Sequence, residues 1–244
     1  MMSHAPDTAR TGPRNPPQPS RAALPVGTGP RWRAVVQRAL LSRAAKPVVW
    51  LLWLAPVAWL VWGVLADRLG ANPAETLIRS TGDWALRALW LALAVTPLRQ
   101  LLQLTALARL RRLLGLFAFF YAALHLVSYA WLDMGWVWGD IAADVLQRPF
   151  ILVGMLTLTL LLVLAATSPR AMVRKLGGPR WQRLHRVVYG AGLLALLHFY
   201  WMRSGKNDTA EVAVYGALLL VLLGWRVWFA RQARRKSAGA VVQR

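Results

Sequence analysis

The 244-residue chain is 57% hydrophobic, contains 14 Trp, and carries 30 Lys and Arg against 9 Asp and Glu. A net charge of +21 can signal nucleic-acid binding, but the basic residues here lie between long apolar runs, which excludes a polar basic domain. The chain has no cysteine, which excludes disulfides, thiolate metal sites, cysteine nucleophiles and cysteine-bound iron–sulfur clusters.

Residues 1–46 read as a separate, disordered cytoplasmic tail. The stretch "TGPRNPPQPSRAALPVGTGPRWR" is rich in Pro, Gly and Arg and has no apolar period. It is not a signal peptide: the first apolar run starts near Pro47, is too long for an h-region and lacks a small-residue cleavage pattern. A helix needs roughly 20 apolar residues to cross a hydrocarbon core of ~30 Å. Six stretches meet or approach this, at about 47–66, 82–98, 113–132, 149–167, 184–202 and 211–230. The expected fold is an all-α integral membrane bundle of six transmembrane helices over 47–230, followed by a basic cytoplasmic tail at 231–244.

Charge orients the bundle. With the N-terminus in the cytoplasm, segments 1–46, 99–112, 168–186 and 226–244 hold 24 of the 30 Lys and Arg. The opposite side holds only Arg68, Arg79, Arg148, Arg203 and Lys206. This positive-inside bias places both termini in the cytoplasm. Trp131, Trp136, Trp138 and Trp201 fall near the outer interface, and Trp50, Trp181 and Trp228 near the inner one, as an aromatic belt requires.

Three of the four histidines lie in or at the edge of spans: His125, His185 and His198. Ionisable residues at such positions are functional candidates by default. At ~1.5 Å per residue, His125 is about 18 Å up the third span and His198 about 21 Å up the fifth. Two neutral imidazoles at one level on facing helices can ligate a low-spin heme iron from both sides, since bundle cores build cofactor sites from facing helices. A bare metal ion is disfavoured, because the spans supply almost no Asp or Glu as additional ligands. His185 is about 20 Å below His198, which suits a second centre nearer the cytoplasm. Its partner is not evident: Arg112, not a histidine, lies thirteen residues before His125. Thirteen residues also turn the two rings of the fifth span about 140° apart unless the helix bends, and Gly190 and Gly192 lie between them.

Arg87 either pairs with Asp83 at i,i+4 or holds a heme propionate. The basic loops "RLRRLLG" (109–115) and "SPRAMVRKLGGPRWQRLHR" (168–186) serve topology and anionic lipid, or form a surface for a phosphate-bearing cofactor such as a flavin mononucleotide.

The His-x12-His of the fifth span, with a His on the third, resembles the ferric reductase-like transmembrane domain of NADPH oxidases and ferric reductases. The strings "RRLLGLFAFFYAALHLVSYAWLDMG", "GANPAETLIRSTGDWALRALWLALAVTPLR" and "RPFILVGMLTLTLLLVLAATSPRAMVRKLGGPRWQRLHRVVYGAGLLALLHFYW" are similar to one branch. That branch is the MsrQ (YedZ) family, heme-binding subunits of the bacterial periplasmic methionine-sulfoxide reductase system. The resemblance covers about 47–230. It implies an inner-membrane electron carrier that binds b-type heme and FMN and takes electrons from the quinone pool. The carrier passes them to a periplasmic molybdopterin subunit that reduces oxidised methionine in envelope proteins. It also implies that His125, His185 and His198 are the intramembrane heme-binding, metal-ligating histidines, and that no residue of this chain is catalytic. The broader superfamily carries two histidines on each of two helices, whereas the third span here has one, which leaves the number of hemes open.

A rival reading is a proton-coupled transporter that uses the histidines as a relay. Against it, the halves show no repeat and no pair of interrupted spans. A structural anchor without cofactor is a third reading, and it leaves three intramembrane histidines unexplained.

Overall fold

The computed structural model describes residues 30–204 and 209–242. Among these residues the architecture is helical throughout, with no strand. Helix α1 (Arg31–Leu41) is followed by α2 (Ala45–Leu65), α3 (Pro73–Leu102), a 3-10 turn (Thr105–Leu107) and α4 (Ala108–Ser128). A π-turn (Tyr129–Asp133) leads to α5 (Trp138–Gln147), α6 (Pro149–Ala166), α7 (Arg170–Leu176), α8 (Gly178–His185), α9 (Val188–Ser204) and α10 (Ala210–Val242).

Five helical segments are long and apolar enough to cross a membrane: Ala45–Leu65, Pro73–Leu102, Thr105–Asp133, Pro149–Ala166 and Ala210–Ala233. The expected sixth, at 184–202, is shorter. Its helix, α9, has 17 residues, which is about 25 Å at 1.5 Å per residue. The chain turns at Arg186 and Val187, so His185 closes α8 instead of opening the span. The break falls ahead of Gly190 and Gly192, not at them.

Most of the expected N-terminal tail lies outside the described residues. Within its last part, residues 31–41 are helical, and polar contacts dock α1 on the corner between α3 and α4. Arg33 Nη1 donates to Gln103 Oε1 (2.5 Å), Gln37 Nε2 to Thr105 Oγ1 (2.6 Å), and Arg109 Nη1 to the Leu41 carbonyl (3.0 Å). At the other end, α10 runs unbroken through the expected tail to Val242.

Local chemistry sets the helix ends. Asn72 caps α3 by accepting from the Glu75 amide (3.1 Å), with Pro73 in the first turn. Gln103, at φ 56°, ends that helix in the left-handed region.

α3 is the central helix. Leu86, Ala88, Leu89, Trp90 and Leu93 are buried there against Phe117, Ala118 and Tyr121 of α4, Leu161 of α6, Ala191 of α9 and Leu219 of α10. Lipid tails are as apolar as leucine, so this packing and interhelical hydrogen bonds, not water exclusion, hold the helices together. Trp90 Nε1 donates to the Tyr215 carbonyl (3.0 Å) and Trp225 Nε1 to Gln100 Oε1 (2.9 Å), tying α10 to α3. Tyr121 donates its hydroxyl to the Trp53 carbonyl and ties α4 to α2. Outward-facing Leu51, Leu65, Leu220 and Val221 are exposed, as residues facing lipid must be.

Candidate functional site

Four helices present side chains at helical spacing to one shared, largely apolar cavity of about 280 Å³. α3 contributes Ile78, Gly82 and Leu86, and α4 contributes Ala122 and His125. α6 contributes Phe150, Gly154 and Thr157, and α9 contributes Ala195, His198 and Met202. The 3.6-residue repeat stacks each set on one face of its helix.

His125 and His198 face each other across this cavity, with ring centroids 6.2 Å apart and planes at 77°. His125 Nδ1 lies 2.8 Å from the Ile78 carbonyl and His198 Nδ1 lies 2.7 Å from the Phe150 carbonyl. A carbonyl only accepts, so each Nδ1 carries the proton and donates, leaving each Nε2 lone pair free. This is the arrangement that orients a metal-ligating imidazole. A metal bound from both sides at about 2 Å per nitrogen needs ring centroids about 6 Å apart, and the observed separation meets that. No group of three or more His, Asp and Glu side chains with metal-binding geometry occurs among the described residues.

His185 is not part of this pair and does not line the cavity. Its Nε2 is 3.1 Å from Thr167 Oγ1, and its ring stacks on Trp181 at 4.0 Å. Trp181 Nε1 donates to the Thr167 carbonyl (2.9 Å), closing a clasp between α8 and the end of α6. Burial, and after it the Arg111 guanidinium, hold the His185 imidazole below its ordinary value of 6.5, against the opposing effect of the Thr167 contact. A base so depressed binds fewer protons folded than unfolded between its folded value and 6.5. The stability it contributes is complete above about pH 6.5 and falls away as pH drops through the folded value. Hydrogen-exchange protection over 167–185, after correction for the slower intrinsic exchange at acid pH, is therefore expected to fall on acidification below about pH 6.5. His185→Gln should flatten that dependence, and an unchanged pH profile in this variant would contradict the assignment.

Arg87 interacts electrostatically with Asp83, as one of its two expected roles requires. Its guanidinium lies over the Trp84 ring at 4.9 Å, and it does not line the cavity. The cations that do are Arg79, Arg148 and Arg203. They meet Glu75 (2.6 Å), Asp144 (2.8 Å) and Glu211 (2.8 Å). These three belong to the small set of cations that the charge count leaves outside the four basic segments, and that exception was the available sequence signal for them. Arg226, counted with the cytoplasmic segments, reaches into the bundle instead: Nη2 donates to the Leu93 carbonyl (2.7 Å) and Nη1 to the Tyr189 hydroxyl (2.6 Å).

Comparison with known proteins agrees with this architecture. Residues 81–197 match the family "Ferric reductase like transmembrane component". A protein of Polaromonas naphthalenivorans (strain CJ2), named protein-methionine-sulfoxide reductase heme-binding subunit MsrQ, is 54% identical over 213 residues. That alignment covers 86% of this chain and 97% of the relative. The chain belongs to the MsrQ family. MsrQ proteins of Ralstonia nicotianae (49% identical; 80% of this chain, 90% of the relative) and Bordetella pertussis (49%; 77% and 91%) extend the likeness. No solved structure matches the chain. Membership in the MsrQ family and the helices of spanning length make this a multi-pass membrane protein of the ferric reductase-like type.

Proposed function

We propose that the chain is a membrane electron carrier in which His125 and His198 hold one b-type heme from opposite sides. The observation that carries this reading is the imidazole pair, 6.2 Å between centroids, with both Nδ1 atoms committed to carbonyls. The names of the MsrQ relatives, heme-binding subunits of a protein-methionine-sulfoxide reductase, point the same way. When bound, the heme supplies one-electron redox chemistry, and the chain supplies ligands, burial and charge around it. The residues present fit the group: two imidazoles, a largely apolar cavity wall and three arginines.

In the cell, this carrier takes electrons from the quinone pool and delivers them outward to a periplasmic molybdopterin-containing methionine sulfoxide reductase, supporting repair of oxidised envelope proteins. The positive-inside bias supports a bacterial inner-membrane location with cytoplasmic termini. His185, clasped on the cytoplasmic side, neighbours a second, inner centre. The basic segments 109–115 and 168–186 offer cations to the phosphate of FMN. Arg79, Arg148 and Arg203 line the cavity and offer guanidinium groups to the heme carboxylates, in competition with Glu75, Asp144 and Glu211.

The test is the visible spectrum of the purified protein, oxidised and dithionite-reduced, from heme-replete cells. A low-spin b-type signature is expected, and a colourless protein would defeat the reading. Within it, Arg148→Gln and Arg203→Gln should speed heme transfer to an apoprotein acceptor by about tenfold, the size of one lost charge-assisted hydrogen bond. Arg87→Gln should not. Equal rates in all three would remove the arginines from the site.

A further inference from the structure

The two histidines are held by the same device, built twice on different helices. On α3, the Ile78 carbonyl accepts from His125, and Gly82 stands one turn on. A Cβ at Gly82 would lie 3.1 Å from His125 Nδ1 and 3.2 Å from its Cε1. On α6, the Phe150 carbonyl accepts from His198, and Gly154 stands one turn on. A Cβ there would lie 2.9 Å from His198 Cε1 and 3.0 Å from its Nδ1.

The spacing has a physical reason. Inside a helix the carbonyl of residue i accepts the amide of residue i+4 and keeps a second lone pair. Side chains lean back toward the helix N-terminus, so the Cβ of residue i+4 stands over that carbonyl. A glycine at i+4 leaves room for an imidazole ring to lie against that turn, where the Cβ of any other residue would meet it at about 3 Å. By contrast, Gly115 on α4 and Gly190 on α9, the histidines' own helices, have nothing within 4 Å of a Cβ.

We propose that Gly82 and Gly154 are positioning residues of the heme site, each leaving room for one axial imidazole beside the carbonyl that fixes its tautomer and plane. The inference rests on the reading that His125 and His198 ligate heme. Glycine in a helix interior costs roughly 1 kcal/mol relative to alanine, so a glycine with open space around it would gain stability on replacement, whereas at Gly82 and Gly154 the added Cβ meets a histidine ring. The ring planes, 77° apart, carry a distinct signature: near-perpendicular axial imidazoles give a low-spin ferric heme a strongly anisotropic EPR signal.

The experiment is EPR and reduced-minus-oxidised spectroscopy of the heme-loaded protein in detergent. The parent should show the anisotropic low-spin signal. Gly154→Ala should shift or lose it, Gly82→Ala should shift it less, and Gly115→Ala and Gly190→Ala should leave it in place. Parental signals in both Gly82→Ala and Gly154→Ala overturn the proposal, as do equal shifts in the control variants. Should Gly154→Ala fail to accumulate, the ring it strikes is removed first. His198→Gly should regain its low-spin spectrum with added imidazole, and His198→Gly/Gly154→Ala should need about tenfold more imidazole. Equal imidazole requirements overturn the proposal. A parent protein without heme defeats the underlying reading instead, which separates the two failures.

Discussion

His125→Ala and His198→Ala should each abolish the low-spin heme spectrum, and His185→Ala should leave the signal of this site intact. Each of the first two removes one imidazole from a facing pair, and among the described residues no third His, Asp or Glu forms a metal-binding group with that pair, although Asp83 and Asp133 line the cavity. The neighbouring hydroxyls are already engaged: Thr157 donates its hydroxyl to the Val153 carbonyl, and Tyr129 donates to Asp144. Changing a partner outside the ligand set commonly costs 10–100-fold in metal affinity, so loss of a ligand itself should cost on the order of 100-fold or more. Heme content per protein, with absorption before and after dithionite, measures this directly. His185 makes its contacts with Thr167 and Trp181, outside the cavity, so its removal should spare this signal. Full low-spin heme in His198→Ala would show that the pair does not ligate, whatever its geometry.

The second large effect is on stability. Tyr121 is fully buried, one helical turn before His125, among Trp53, Trp84, Phe117 and Phe120. It joins α4 to two other helices: the ring stacks on Trp84 of α3, and the hydroxyl donates to the Trp53 carbonyl of α2. Tyr121→Ala removes a large ring from a close-packed site and should cost about 3–5 kcal/mol. Tyr121→Phe keeps the ring and loses one interhelical hydrogen bond, worth about 1 kcal/mol in a membrane bundle. Thermal unfolding in detergent should therefore order the proteins as parent, Tyr121→Phe, then Tyr121→Ala, with the larger gap at the last step. A larger gap at Tyr121→Phe would mean that the hydroxyl, not the packed ring, holds α2 to α4.

The exceptions to the charge bias are instructive. Arg79, Arg148 and Arg203 looked like noise in a count used to orient helices, yet all three line the cavity. A cation on the unfavoured side has no topological reason to be there, so a local partner has to be sought. Arg226 shows a second use of a counted charge: its position in the chain puts it with the proposed cytoplasmic charges, and its side chain reaches from α10 to the Leu93 carbonyl and Tyr189. Position along a helix sets depth, but azimuth decides whether a side chain reaches headgroups or a neighbouring helix.

That distinction separates what was legible in the chain from what was not. Hydrophobic runs and charge bias are local quantities, so five of the six expected spans could be read from the sequence alone, and a proposed orientation with them. Depth alone put His125 and His198 at one height. It could not say that α4 and α9 turn those faces toward each other, because azimuth depends on how neighbouring helices pack. The sequence likewise ran His185 into the fifth span, since apolar character continues across Arg186 and Val187, where the helix breaks. The glycine and carbonyl one turn apart that lie against each imidazole look, in sequence, like any stretch of helix. Only the tertiary structure places an imidazole against Gly82 and another against Gly154, because a backbone oxygen leaves no trace in residue type and becomes a partner only when another helix brings a donor to it.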